Sequence, residues 1–137
     1  MQFAGTNYAA VLLAAIAAWL FGALWYMALS NPWLKAARID PASMKRSVAP
    51  FLVSFVAELV MATVLAGAVA HLGPGQVTIR NGIVSGLILW AGFVATTLAV
   101  NHRYQGFGWT LTLIDAGHWL GVALIMGAVI GWMGVPG

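Results

Sequence analysis

Apolar residues gather into four long runs, and nearly all of the charge falls in the short stretches between them. The runs extend over about Tyr8 to Leu29, Val48 to Ala70, Asn81 to Asn101 and Thr110 to Trp132. Each matches the roughly 20 residues that cross a hydrocarbon core of about 30 Å at 1.5 Å per residue. The pattern predicts an all-α protein: one integral-membrane domain over residues 1–137, folded as a transmembrane four-helix bundle. The first run is preceded by no Lys or Arg, so it reads as a retained span rather than a cleaved signal with a basic leader. Pro50 falls in the first turns of the second run, where a missing N–H costs least, and Gly73-Pro74-Gly75 closes that run. Gly106-Phe107-Gly108 separates the third run from the fourth, which ends near Gly134 and Pro136.

The segment 30–47 between the first two runs has a different pattern. Pro32 opens a short helix with Trp33, Leu34 and Ala37 on one side and Lys35 and Arg38 toward water, which is the pattern of a helix lying in the interface. Asp40-Pro41 reads as an N-cap and first helical position, so the second helix is expected to start in the headgroup layer. Lys35, Arg38, Lys45 and Arg46 stand there against Asp40 alone, a balance suited to anchoring on anionic lipid headgroups.

Composition narrows the class further. The chain is 62% hydrophobic and 7% charged, where a soluble domain carries about a quarter charged residues. It has no cysteine, which removes disulfides, thiolate metal sites and covalent haem attachment from consideration. A net charge of +3, scattered along the chain, does not suggest nucleic acid. It does orient the spans. The 30–47 and 102–109 loops share a face and hold five Lys or Arg, against Arg80 on the other face. The positive-inside rule then puts the multi-pass chain in a bacterial inner membrane with both termini periplasmic. Trp25, Tyr26, Trp33 and Trp109 fall at the inner interface as expected of an aromatic belt, with Tyr8 and Trp132 at the outer one.

Small residues recur at helical spacing. Ser54, Glu58, Ala62, Ala66 and Ala70 form a row on the second helix, Gly117-xxx-Gly121 and Gly127-xxx-Gly131 form two on the fourth, and Gly82-xxx-Gly86 and Ala14, Ala18, Gly22 complete the set. Such surfaces let backbones approach closely, within one bundle or between protomers.

Two carboxylates lie inside the runs, Glu58 and Asp115, with His118 one turn beyond the second. An ionised group at mid-membrane costs about 2.5–3.5 kcal/mol even on the lenient insertion scale, so it is normally paired, neutral or facing water. Counting from the basic side at 1.5 Å per residue places Glu58 and His118 at a common depth of roughly 12–15 Å, with Asp115 about a turn shallower and Thr97 and Asn101 at its level. A cluster of Glu58, Asp115, His118, Thr97 and Asn101 is therefore expected in the inner half. Three readings compete: hydrogen-bonded links that set helix register, with Asp115 capping the network or pairing with Arg103; a proton or ion path; and a metal site built on the i,i+3 pair Asp115 and His118. The metal reading is short of acids, so no metal or other cofactor is expected. His71 and His102, near the span ends, read as interfacial residues satisfied by water. No nucleophile with its base and no phosphate loop is legible, which argues against an enzyme.

Asn7-Tyr8, the stretch Gly22-Ala23-Leu24-Trp25-Tyr26, Trp33-Leu34-Lys35, the run from Leu89 through Thr97 with Asn101, and Leu113-Ile114-Asp115-Ala116-Gly117-His118-Trp119 resemble a bacterial membrane family, domain-of-unknown-function family 1761. Met27-Ala28 stand where that family's pattern has Ser-Pro. The resemblance covers nearly the whole chain. It implies a compact four-helix membrane fold and brings no activity with it. The sequence as a whole points to a homo-oligomeric or accessory subunit of a membrane assembly, with membrane lipids as partners. The runner-up is a small transporter or channel for protons or a small solute, lined by Glu58, Asp115 and His118. Reporter fusions test the orientation: a fusion after Gly137 is expected to report the periplasm and one within residues 41–47 the cytoplasm, and a cytoplasmic C-terminus would overturn it.

Overall fold

A computed structural model describes residues 6–135 of the chain, and among them it is helical with no strand. The elements are α1 (Tyr8–Ala28), α2 (Ser30–Ala36), a 3₁₀ turn (Pro41–Ser43), α3 (Ala49–Ala70), α4 (Ile79–Leu89), a π-helical segment (Trp90–Ala95), α5 (Thr96–Tyr104) and α6 (Trp109–Met133). α4, the π segment and α5 run on as one 26-residue span, so four helices are long and apolar enough to cross a bilayer. Their limits fall within a few residues of those read from the hydrophobic runs. The short helix between the first two spans is α2, which follows α1 after Leu29 alone.

The element ends follow local chemistry. Asn7 caps α1 by accepting the Ala10 N–H, and its side-chain amide donates to Gly134 O at 3.2 Å, tying the first span's start to the last span's end. Thr78 caps α4 by accepting from the Asn81 N–H. Asp40 behaves differently from expectation. Its carboxylate accepts the Ala42 N–H and caps only the 3₁₀ turn, and extended backbone at Met44 ends that turn. The second span therefore starts at Ala49 with Pro50 in its first turn, well past Pro41.

The π segment leaves its mark on the third span. Widening one turn disturbs the carbonyl ladder, and in a span those carbonyls need partners from the protein itself. Thr96 Oγ1 donates to Gly92 O at 2.9 Å and Thr97 Oγ1 donates to Phe93 O.

The bundle is organised around α6, which packs most extensively on α4 and α1, while α3 leans chiefly on α1. Glycine sets the approach on both sides of α6. A side chain at Gly82 would run into the Gly127 backbone, one at Gly86 into Ala123, and one at Gly131 into Thr78. On the α1 side, Gly117 lies against the Trp25 indole and Gly121 against the Phe21 ring. The small rows thus make contacts inside one bundle. Ala14, Ala15, Ala18, Ala62, Val69, Val122, Met126 and Ile130 fill the core. Burial is uneven: 33%, 33% and 39% of the apolar windows of the first, second and fourth spans are buried, against 6% for the third. Between α3 and the third span lies a groove of about 410 Å³, lined by Val60, Val64, Trp90, Phe93, Trp119, Met126 and their apolar neighbours.

Candidate functional site

The polar centre of the molecule is one turn of α6. Helical spacing sets Thr112, Asp115 and His118 at successive i,i+3 positions, so their side chains rise along one flank of the helix. Asp115 Oδ1 accepts two hydrogen bonds, from the Tyr26 hydroxyl at 2.7 Å and from the Trp33 indole at 3.2 Å. Asp115 Oδ2 lies 3.5 Å from His102 Nε2. On its other side, His102 Nδ1 is 2.8 Å from Thr112 Oγ1, and that hydroxyl accepts from Arg103.

One arrangement of protons links the chain: Arg103 donates to Thr112, the Thr112 hydroxyl donates to His102 Nδ1, and the imidazole presents its Nε2–H to Asp115. The carboxylate then faces three donors from α1, α2 and α5, as a carboxylate withdrawn from water requires. The backbone on either side of it is used as well. Trp25 Nε1 donates to Ile114 O at 3.1 Å and Trp90 Nε1 to Ala116 O at 2.8 Å. Indoles from the first and third spans thus grip α6 on either side of Asp115.

Above this turn lies the second polar element. His118 is 7% exposed and enclosed by aromatic rings: Tyr26 at 4.9 Å between centroids, Trp119 at 4.5 Å and Phe21 stacked at 6.2 Å. Gly22 makes room for it, since a Cβ there would sit 2.7 Å from His118 Nε2. Glu58, on α3, is 2% exposed. Val60 and Met61 on α3 and Trp119 on α6 line one groove. Glu58 Oε1 and His118 Nδ1 are both buried and make no hydrogen bond.

The structure regroups the residues singled out from the sequence. Thr97 and Asn101 do not join the cluster: both are exposed, and the Thr97 hydroxyl turns back to its own helix. Depth along a helix does not fix the direction in which a residue faces, and the wider π turn at Trp90–Ala95 rotates the remainder of the span about its axis. Arg103 does not pair with Asp115. Its guanidinium stacks on the Trp109 ring at 3.7 Å and donates to Gly108 O and Thr112. His102 is 7% exposed and a member of the network, not a water-satisfied residue at the interface. Exposed His71 bonds Gly67 O of its own helix at 2.7 Å through Nδ1. Trp25, Tyr26 and Trp33 turn their polar ends into the bundle, while Trp109 is 60% exposed. Lys35, Arg38, Lys45 and Arg46 are exposed.

His102, Thr112 and Trp90 were not legible as partners in the sequence. The available signal was chemical: Asp115 has to find donors, and His102 lies near Asp115 in depth once the third and fourth spans form a hairpin. Among the described residues no three His, Asp or Glu side chains come together as a metal ion would require.

A family model described as protein of unknown function (DUF1761) matches residues 9–131, and the chain belongs to that family. No curated protein and no solved structure matches it.

If the aromatic donors hold Asp115 as a lock between helices, the effects of Tyr26→Phe and Asp115→Asn on stability will not add. A double-mutant cycle measured by unfolding in mixed micelles is expected to show a coupling of about 1 kcal/mol, within the range of interhelical hydrogen bonds in membranes. Tyr104→Phe, at a position 90% exposed, is expected to be neutral. Additivity of the first pair would remove the lock.

Proposed function

We propose that this member of a family without an assigned activity is a non-enzymatic subunit of a bacterial inner-membrane assembly, either a homo-oligomer or an accessory subunit of a larger complex. The observation that carries this reading is the third span, whose apolar window is only 6% buried by the rest of the chain. Its outer side chains include Ile88 at 63% and Phe93 at 72% exposure, and Phe93 borders the groove against α3. A transmembrane helix from a second copy or another subunit would cover this face and fill the groove by van der Waals contact, the main attraction between helices in lipid. The inward use of Gly117, Gly121, Gly127 and Gly131 leaves the groove, and not a glycine stripe, as the surface for assembly. In this reading the Asp115 network specifies the shape of the subunit.

The absence of native cysteine makes the test direct. With a thiol-directed photocrosslinker on single cysteines at Phe93 or Val64, irradiation in native membranes is expected to give a discrete cross-linked species, at twice the monomer mass for a homo-oligomer and at another fixed mass for an accessory subunit. A cysteine at Leu24, 67% exposed on α1, serves as the control. Cross-linking no greater than at Leu24 would reject the assembly reading.

A second reading, a proton or solute path, draws on Glu58 Oε1 and His118 Nδ1, which are buried without partners as a relay between transient donors would need. Under the assembly reading, proteoliposomes with an internal pH dye are expected to acidify no faster than empty ones. Flux in the wild type that disappears in Glu58→Gln, which keeps shape and some hydrogen bonding but cannot release a proton, would transfer the site to the second reading.

A further inference from the structure

We propose that the pocket at the basic end of the bundle, between α2 and the first turn of α6, binds the phosphate of an anionic phospholipid. The pocket, of about 350 Å³, is lined by Lys35, Ala36, Arg38, Gly108, Thr110 and Leu111. Two of these side chains are cations and one carries a hydroxyl. The Arg38 guanidinium donates to Gly106 O and lies 5.0 Å from the Phe107 ring centroid, so the two basic-side loops close the pocket together. Arg38 takes a left-handed backbone, φ 58°, to do so. That conformation is uncommon outside Gly, Asn and Asp.

The remainder of the wall has the same polarity. α6 starts at Gly108 without a side-chain cap and with no acid in its first turn, so its first N–H groups have no partner within the helix. Arg103 lies outside the pocket lining but at the same helix end, where it donates to Gly108 O and stacks on Trp109. No carboxylate neutralises the group. Asp40 is turned to the Ala42 N–H and Asp115 is occupied by its aromatic and histidine partners.

Depth selects a lipid as the source of the phosphate. The pocket is at the loop end of a membrane span, and directly beyond it Trp109 and Leu113 are 60% and 70% exposed, apolar surface along which acyl chains would lie. A phosphatidylglycerol phosphate brings one uncompensated negative charge, whereas the choline ammonium of phosphatidylcholine would meet Lys35 and Arg38. The site therefore discriminates by net charge.

The test is retention of lipid by the full-length protein, followed by native mass spectrometry after exchange into micelles doped equally with phosphatidylglycerol and phosphatidylcholine. Wild type is expected to keep phosphatidylglycerol in preference. Lys35→Gln removes a cation for which no hydrogen bond is seen, so the fold should stand, and it is expected to weaken retention by roughly fivefold, the effect of one basic residue near a charged surface. Lys35→Gln combined with Arg38→Gln should weaken it further. Lys45→Gln with Arg46→Gln, which removes equal charge outside the pocket, should leave retention within twofold of wild type. Equal retention of the two lipids by wild type, or equal loss in the two double variants, would overturn the proposal in favour of diffuse charge attraction. Thermal stabilisation of the detergent-solubilised protein by inorganic phosphate alone, matching that by phosphatidylglycerol, would overturn the lipid assignment in favour of a soluble anion.

Discussion

No water reaches the middle of a bilayer, so a polar group placed there must find its partner within the protein. Asp115 is the point at which this chain meets that demand. One carboxylate draws a hydroxyl, an indole and an imidazole from three other helices, and two more indoles bond the α6 carbonyls beside it. Because those donors come from α1, α2, the π segment and α5, satisfying a single turn of α6 fixes the rotation of nearly every element in the basic-loop half of the bundle. α2, which buries no residue fully, is tied to α6 by this means, since Trp33 reaches Asp115.

The opposite half is held by a different device. There the glycines of α4 and α6 bring backbone against backbone, and alanines let α1 approach α3. Lipid tails are as apolar as leucine, so close packing replaces the hydrophobic effect as the attraction between these helices. The two devices suit each other. Glycine contacts fix separation but leave a helix free to slide or turn, and the hydrogen bonds at Asp115 remove that freedom.

The four spans were legible because a run of apolar residues long enough to cross a bilayer has few other outcomes, and their ends were marked by Pro50, Gly73 to Gly75 and Gly106 to Gly108. The membership of the polar site was legible only in part. Spacing along one helix put Asp115 and His118 on a common flank, but which residues of other helices face that flank depends on azimuth, and no period in the sequence reports it. The π turn at Trp90 altered the azimuth of everything after it, sending Thr97 outward. Trp25, Tyr26 and Trp33 misled for a related reason. An aromatic residue with a polar tip suits the membrane interface and a buried hydrogen bond equally, and only the presence of Asp115 at their level decides between them.

Glu58 marks the limit of the structural explanation. Asp115 has more donors than oxygens, whereas Glu58 Oε1, more deeply buried, has none, and His118 Nδ1 is likewise buried without a hydrogen bond. Stability alone does not account for this, because a leucine at Glu58 would pack in the same space without the cost of desolvating a carboxyl group. A partner gained in another state of the protein would offset that cost. The groove has walls close to both residues in sequence, Val60 two residues from Glu58 and Trp119 next to His118. A helix packed in the groove would bear on those walls, so assembly and the two buried groups are expected to respond to one another.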